Sequence, residues 1–134
     1  MEYQKSYRGF VLWLLGYMAA MFSPLLLAGG DAGLMIRLVQ NLTSAGLVVL
    51  AWIIWRTESV YWINGTTFEQ ARDAGSERRR AFAAAHLRAF ARFAAGYFLF
   101  SAFMQWRQFS YTFDIVVFTV GLIATAVSTI RIKL

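Results

Sequence analysis

The sequence predicts an all-α, polytopic membrane protein: a single domain over 1–134 with four transmembrane helices and a short cytoplasmic amphipathic helix between the second and third. Three observations carry this expectation. Of the 134 residues, 59% are hydrophobic and 15% are charged, whereas an ordinary soluble domain is about half apolar and about a quarter charged. The apolar residues fall in long runs and not in the alternating or amphipathic patterns of soluble strands and helices. The basic residues gather between those runs, as charges that set membrane topology do.

The first span is expected over 9–28. Phe10 to Ala28 is an uncharged run of 19 residues, close to the ~20 that cross the hydrocarbon core. It exceeds the apolar core of a secretory signal and lacks a polar cleavage region, so it is expected to be retained. Pro24 removes a backbone hydrogen bond and should kink or end the helix near Ser23. The second span is expected over 34–56, where Leu38 to Trp55 is uncharged and is bracketed by Arg37 and Arg56. Trp52 and Trp55 mark one interface.

Between them and the next spans lies a loop over 57–80. Thr66 followed by Glu69 has the spacing of a capping box, set just after the turn dipeptide Asn64-Gly65, and predicts a short helix from about Thr67 to Ala74. Gly75 should end it, and Ser76 should cap an alanine-rich helix that runs into the third span. That span, over 81–106, and the fourth, over 111–131, have shorter uncharged cores: Phe93 to Trp106 is 14 residues and Ile115 to Ile130 is 16. Arg88 and Arg92 snorkelling to headgroups lengthens the third, and an interfacial Asp114 lengthens the fourth. A re-entrant hairpin is disfavoured because no Gly/Pro cluster breaks these runs.

Orientation follows from the charges. Eleven of the thirteen basic residues lie at the two termini and between the second and third spans, leaving Arg37 and Arg107 on the other side. Both termini and the middle loop are therefore expected in the cytoplasm, in a multi-pass protein of the cell inner (plasma) membrane. The formal charge of +6 is assigned to topology and to membrane lipid, with no nucleic-acid partner, since the basic residues adjoin spans and are not interleaved with aromatics on a soluble module. Arg78, Arg79, Arg80, Arg88 and Arg92 are the candidate headgroup contacts.

Several side chains fall into patterns. Arg37, Gln40, Asn41 and Ser44 share one face in the outward half of span two. Polar groups are costly in hydrocarbon, so this face should look into the bundle, a partner or a water-filled cavity, with Asp31 or Asp114 available to neutralise Arg37. Phe82, His86, Phe90, Phe93, Tyr97, Phe100 and Met104 recur at steps of three and four, forming an aromatic stripe opposite Arg88 and Arg92. His86 within it is a candidate proton or gating group. Gly121, Ala124, Thr125 and Ser128 give span four a small-residue packing face, either within the chain or across a dimer.

The chain has no cysteine and one histidine. Disulfides, thiol redox chemistry and cysteine-bound metal centres are thereby excluded, and no cofactor or metal is expected. No nucleophile or paired intramembrane carboxylates suggest an enzyme. The expectation is a non-enzymatic interaction or regulatory subunit of a membrane complex or a homo-oligomer, in the simplest case a dimer. The alternative is a dimeric small-solute or ion transporter with an outward polar cavity lined by span two.

Overall fold

The computed structural model describes residues 2–134. They fold into α1 (Arg8–Ala20), α2 (Ser23–Leu27), α3 (Ala32–Thr57), a 3-10 turn (Val60–Trp62), α4 (Phe68–Trp106) and α5 (Tyr111–Thr129), with no strands among them. Helix α3 is the centre of the bundle. It packs along α4, receives α1 and α2 on one side, and shares α5 with α4 on the other.

Local chemistry sets the boundaries. Asp31 caps α3 by accepting from the Leu34 amide at 3.0 Å. That bond holds the Asp31 carboxyl below its usual pKa. Pro24 sits in the first turn of α2, where a missing N–H costs least, and the chain breaks between Ala20 and Ser23 as the proline demands. The capping box at the head of α4 lies one residue later than Thr66 and Glu69: Gln70 donates its amide to Thr67 Oγ1, and Gln70 Oε1 accepts from the Thr67 amide. Helix α4 then passes through Gly75, whose φ of 79° is open to glycine without steric cost. The expected short helix and the next one thus meet at a break at Gly75, as expected, but Ser76 does not cap the second. Ser76 turns its hydroxyl to Glu58 instead.

Among the described residues, three helical stretches, not four, are long and apolar enough to cross a membrane by length and composition: Arg8–Leu27, Ala32–Thr57 and Tyr111–Thr129. The expected third span lies inside α4. Its apolar character comes largely from alanine and aromatics, and His86, Arg88, Arg92, Ser101 and Gln105 dilute it.

The compact core sits at one end of the bundle. Ile54, Val60, Tyr61, Ala71, Phe82 and Ala83 are buried together, with Tyr3, Phe68, Ile132 and Leu134 packed against them. Both terminal segments and the connection from α3 to α4 therefore share that end. By contrast, α1 has no buried residue, and Leu12, Leu26, Val116 and Ile123 are exposed on the apolar helices. This division is compatible with a membrane, since hydrocarbon gives apolar side chains little reason to leave it, whereas water does.

Helix α1 is attached by two polar bonds and one close approach. Trp13 Nε1 donates to the Gly46 carbonyl at 2.8 Å, and the Tyr17 and Thr43 hydroxyls meet at 3.0 Å. A Cβ at Gly46 would lie 2.7 Å from the Tyr17 ring. Gly46→Leu is therefore expected to push α1 off α3 and cost about 1–3 kcal/mol, read by thermal unfolding in detergent. An unchanged midpoint would place the close approach elsewhere.

Candidate functional site

The polar face of α3 points into the bundle. Arg37, Gln40 and Ser44 are buried, with Asn41 partly so. Arg37 reaches three structural elements at once. Its Nη1 donates to Gln105 Oε1 on α4 at 2.6 Å, and its Nη2 donates to the Phe109 carbonyl at 2.7 Å and to Asp114 Oδ2 on α5 at 2.9 Å. The side chains of Arg37 and Asp114 are 6% and 0% exposed. Asp114 is therefore the counterion, held deep in the bundle and not at an interface, while Asp31 serves α3 as its cap.

One turn inward, Asn41 Nδ2 donates to its own helix at Arg37 O and across to Ser101 Oγ on α4, both at 2.8 Å. Next, the Tyr97 hydroxyl donates to Gln40 Oε1. Ser44 returns its hydroxyl to the Gln40 carbonyl. The four residues share a face because they recur at helical spacing. Their partners Tyr97, Ser101 and Gln105 do so too, at steps of four along α4. Arg37 Nε and Asp114 Oδ1 are buried without a hydrogen-bond partner. Two cavities, of about 1000 and 320 Å³, are lined by other residues.

A second ionic cluster holds the opposite end. Glu58 ends α3 in the left-handed region, with φ 58°. Its carboxylate accepts from Ser76 at 2.6 Å, Arg79 Nε at 2.9 Å and Arg80 Nε at 2.8 Å. Its carbonyl accepts from the Tyr3 hydroxyl at 2.6 Å. Arg79 lies 4.0 Å over the Tyr3 ring and donates to the Ala71 carbonyl. Burial pushes the Glu58 carboxyl up, but the bonds from Ser76, Arg80 and Arg79 and the Arg79 charge outweigh it, and its pKa lies below the usual value. Burial also raises the Tyr3 hydroxyl to about 12. No sequence pattern pointed to this cluster. The only signal was the density of aromatics at Tyr3, Tyr7, Tyr61 and Trp62.

The basic run thus divides. Arg79 is buried and Arg80 is paired to Glu58, whereas Arg78, Arg88 and Arg92 are exposed and form no ion pair among the described residues. The aromatic stripe of α4 faces inward, with Phe82, His86, Tyr97 and Met104 buried. His86 Nδ1 lies 2.9 Å from the Phe82 carbonyl. On α5, Gly121 and Thr125 face the bundle, where a Cβ at Gly121 would meet the Phe93 ring at 2.7 Å, while Ala124 and Ser128 are exposed. No three His, Asp or Glu side chains among the described residues converge to hold a metal ion.

No family model matches this chain, and no curated protein or solved structure is similar to it.

Proposed function

We propose that the protein is a non-enzymatic interaction subunit of a membrane assembly, built from the three apolar spans and a fourth supplied by α4 from about Ala81. The observation that carries this reading is the engagement of Arg37. A guanidinium that attracts a solute must present free N–H groups to a cavity, whereas the terminal nitrogens of Arg37 donate to Gln105, Phe109 and Asp114 and its unpartnered Nε is buried away from both cavities. The face that would have lined a transport path instead joins α3, α4 and α5, which suits a scaffold better than a pathway. A fourth span is favoured by the length of α4 beyond Gly75, about 45 Å at ~1.5 Å per residue, against a hydrocarbon thickness of ~30 Å.

The termini, the middle segment and eleven of the thirteen basic residues belong to one end, which is assigned to the cytoplasm of an inner (plasma) membrane. Contact with other copies or other subunits falls to surfaces the bundle leaves open. Ala124 and Ser128 form the small-residue ridge of α5 that no helix of this chain covers.

Ala124→Leu with Ser128→Leu is expected to lower the mass of the complex extracted in mild detergent while the unfolding midpoint of the chain stays within about 0.5 kcal/mol, as for surface changes. An unchanged complex would remove this ridge from the interface. The transporter alternative has its own outcome: loss of solute uptake on Arg37→Ala with the assembly intact would replace the subunit reading.

A further inference from the structure

A cavity of about 1000 Å³ opens between the middle segment, α4 and the end of α5. We propose that it is a binding site for a phosphate group, carried by an anionic glycerophospholipid of the surrounding membrane. Its lining combines cationic and apolar side chains. Arg78 and Lys133 line it and form no ion pair among the described residues. Asp73 is the acidic residue on the wall, and its carboxylate is paired with Arg72 at 3.1 Å. The cavity therefore presents two cations outside any ion pair against one acidic side chain, a balance that suits a phosphodiester.

The apolar part of the lining includes Phe82, Val127 and Ile130. Val127 lies within the span Tyr111–Thr129 and Ile130 just past it, so this wall lies level with the end of the span. A free phosphate has no use for such a wall, whereas an acyl chain does.

His86 supplies the independent observation. It lines the cavity although the residue is 6% exposed. The Phe82 carbonyl can only accept, so the 2.9 Å bond to Nδ1 places the ring proton there. Nε2 has no hydrogen-bond partner among the described residues and is suited to a hydroxyl of a glycerol moiety between phosphate and chain. The site requires the membrane placement proposed above but not the assembly role.

The test is lipid retention by the full chain in neutral detergent, read by native mass spectrometry and by titration. Phosphatidylglycerol, phosphatidylcholine and inorganic phosphate are the three probes. One phosphatidylglycerol per chain is expected, bound about tenfold or more tightly than phosphatidylcholine, since both carry the phosphodiester but the two cations repel the ammonium of choline. Arg78→Gln with Lys133→Gln should abolish the preference. Arg88→Gln with Arg92→Gln, which changes two exposed cations of α4 outside the cavity, should leave it within about twofold. His86→Phe should weaken retention by a smaller factor.

Equal loss in the Arg88/Arg92 and Arg78/Lys133 variants would mean diffuse attraction and overturn the site. Displacement of the lipid by millimolar inorganic phosphate would overturn the lipid as its source. Recovery of the chain from cells without detergent would instead overturn the membrane placement itself.

Discussion

Replacing Asp114 by alanine is expected to cost about 3–5 kcal/mol, because it leaves Arg37 charged and enclosed without a counterion. The guanidinium cannot simply swing to water: its other bonds, to Gln105 and the Phe109 carbonyl, hold it between α3, α4 and the turn into α5. Arg37→Ala should cost less, since the carboxyl it abandons can take up a proton and become neutral, a route closed to arginine. The informative variant removes both groups. Arg37→Met with Asp114→Leu fills the volume with apolar atoms, and buried pairs replaced in this way often lose nothing. Recovery of most of the single-site loss in that double variant, measured by unfolding in detergent, would show that the pair specifies how the helices meet without adding net stability. An Asp114→Ala loss below about 1 kcal/mol would mean that Arg37 finds its compensation elsewhere.

The inward face of α3 was legible because Arg37, Gln40, Asn41 and Ser44 repeat at helical spacing in a run that has no other reason to hold polar groups. Asp114 was legible only as one of two possible counterions, since sequence does not say which hairpin turn brings a carboxylate within reach. Tyr97, Ser101 and Gln105 were not singled out. Each is one polar residue in an aromatic stretch, and only the antiparallel approach of α4 to α3 gives them partners. The aromatic stripe of α4 was read correctly as one face, yet the capping pair at its start was placed one residue early. Thr66 with Glu69 and Thr67 with Gln70 both satisfy the capping pattern, and the choice between them depends on where the preceding turn releases the chain. Gly75 does interrupt the helix, as a residue free to take positive φ can, but the next helix follows at once without Ser76 as its cap. The span count shows a different limit. Hydropathy sees composition, so a helix that carries Arg88 and Arg92 on one side and an aromatic stripe on the other scores as neither fully apolar nor polar.

Glu58 is expected to be the second most sensitive position, and three substitutions separate its roles. Its carboxylate is 14% exposed and faces Arg79, which is 9% exposed, so Glu58→Ala strands a nearly buried cation and should cost about 3 kcal/mol. Arg80 adds little, being 63% exposed and able to return to water. Glu58 also occupies a left-handed conformation that costs a residue with a Cβ roughly 1 kcal/mol. Glu58→Gly should therefore be less damaging than Glu58→Ala by about that amount, the reverse of the order for an ordinary helical position. Glu58→Gln keeps the shape and tests the charge through pH. The folded pKa lies below the ordinary 4.5. The stability that ionised Glu58 contributes is therefore fully present above about that pH and is lost as pH falls through the lower folded value. Unfolding midpoints of the native chain should drop across that acid window, and those of Glu58→Gln should drop less. Parallel curves for the two proteins would show that Ser76 and the helix end, not the charge on Glu58, hold this end of the bundle together.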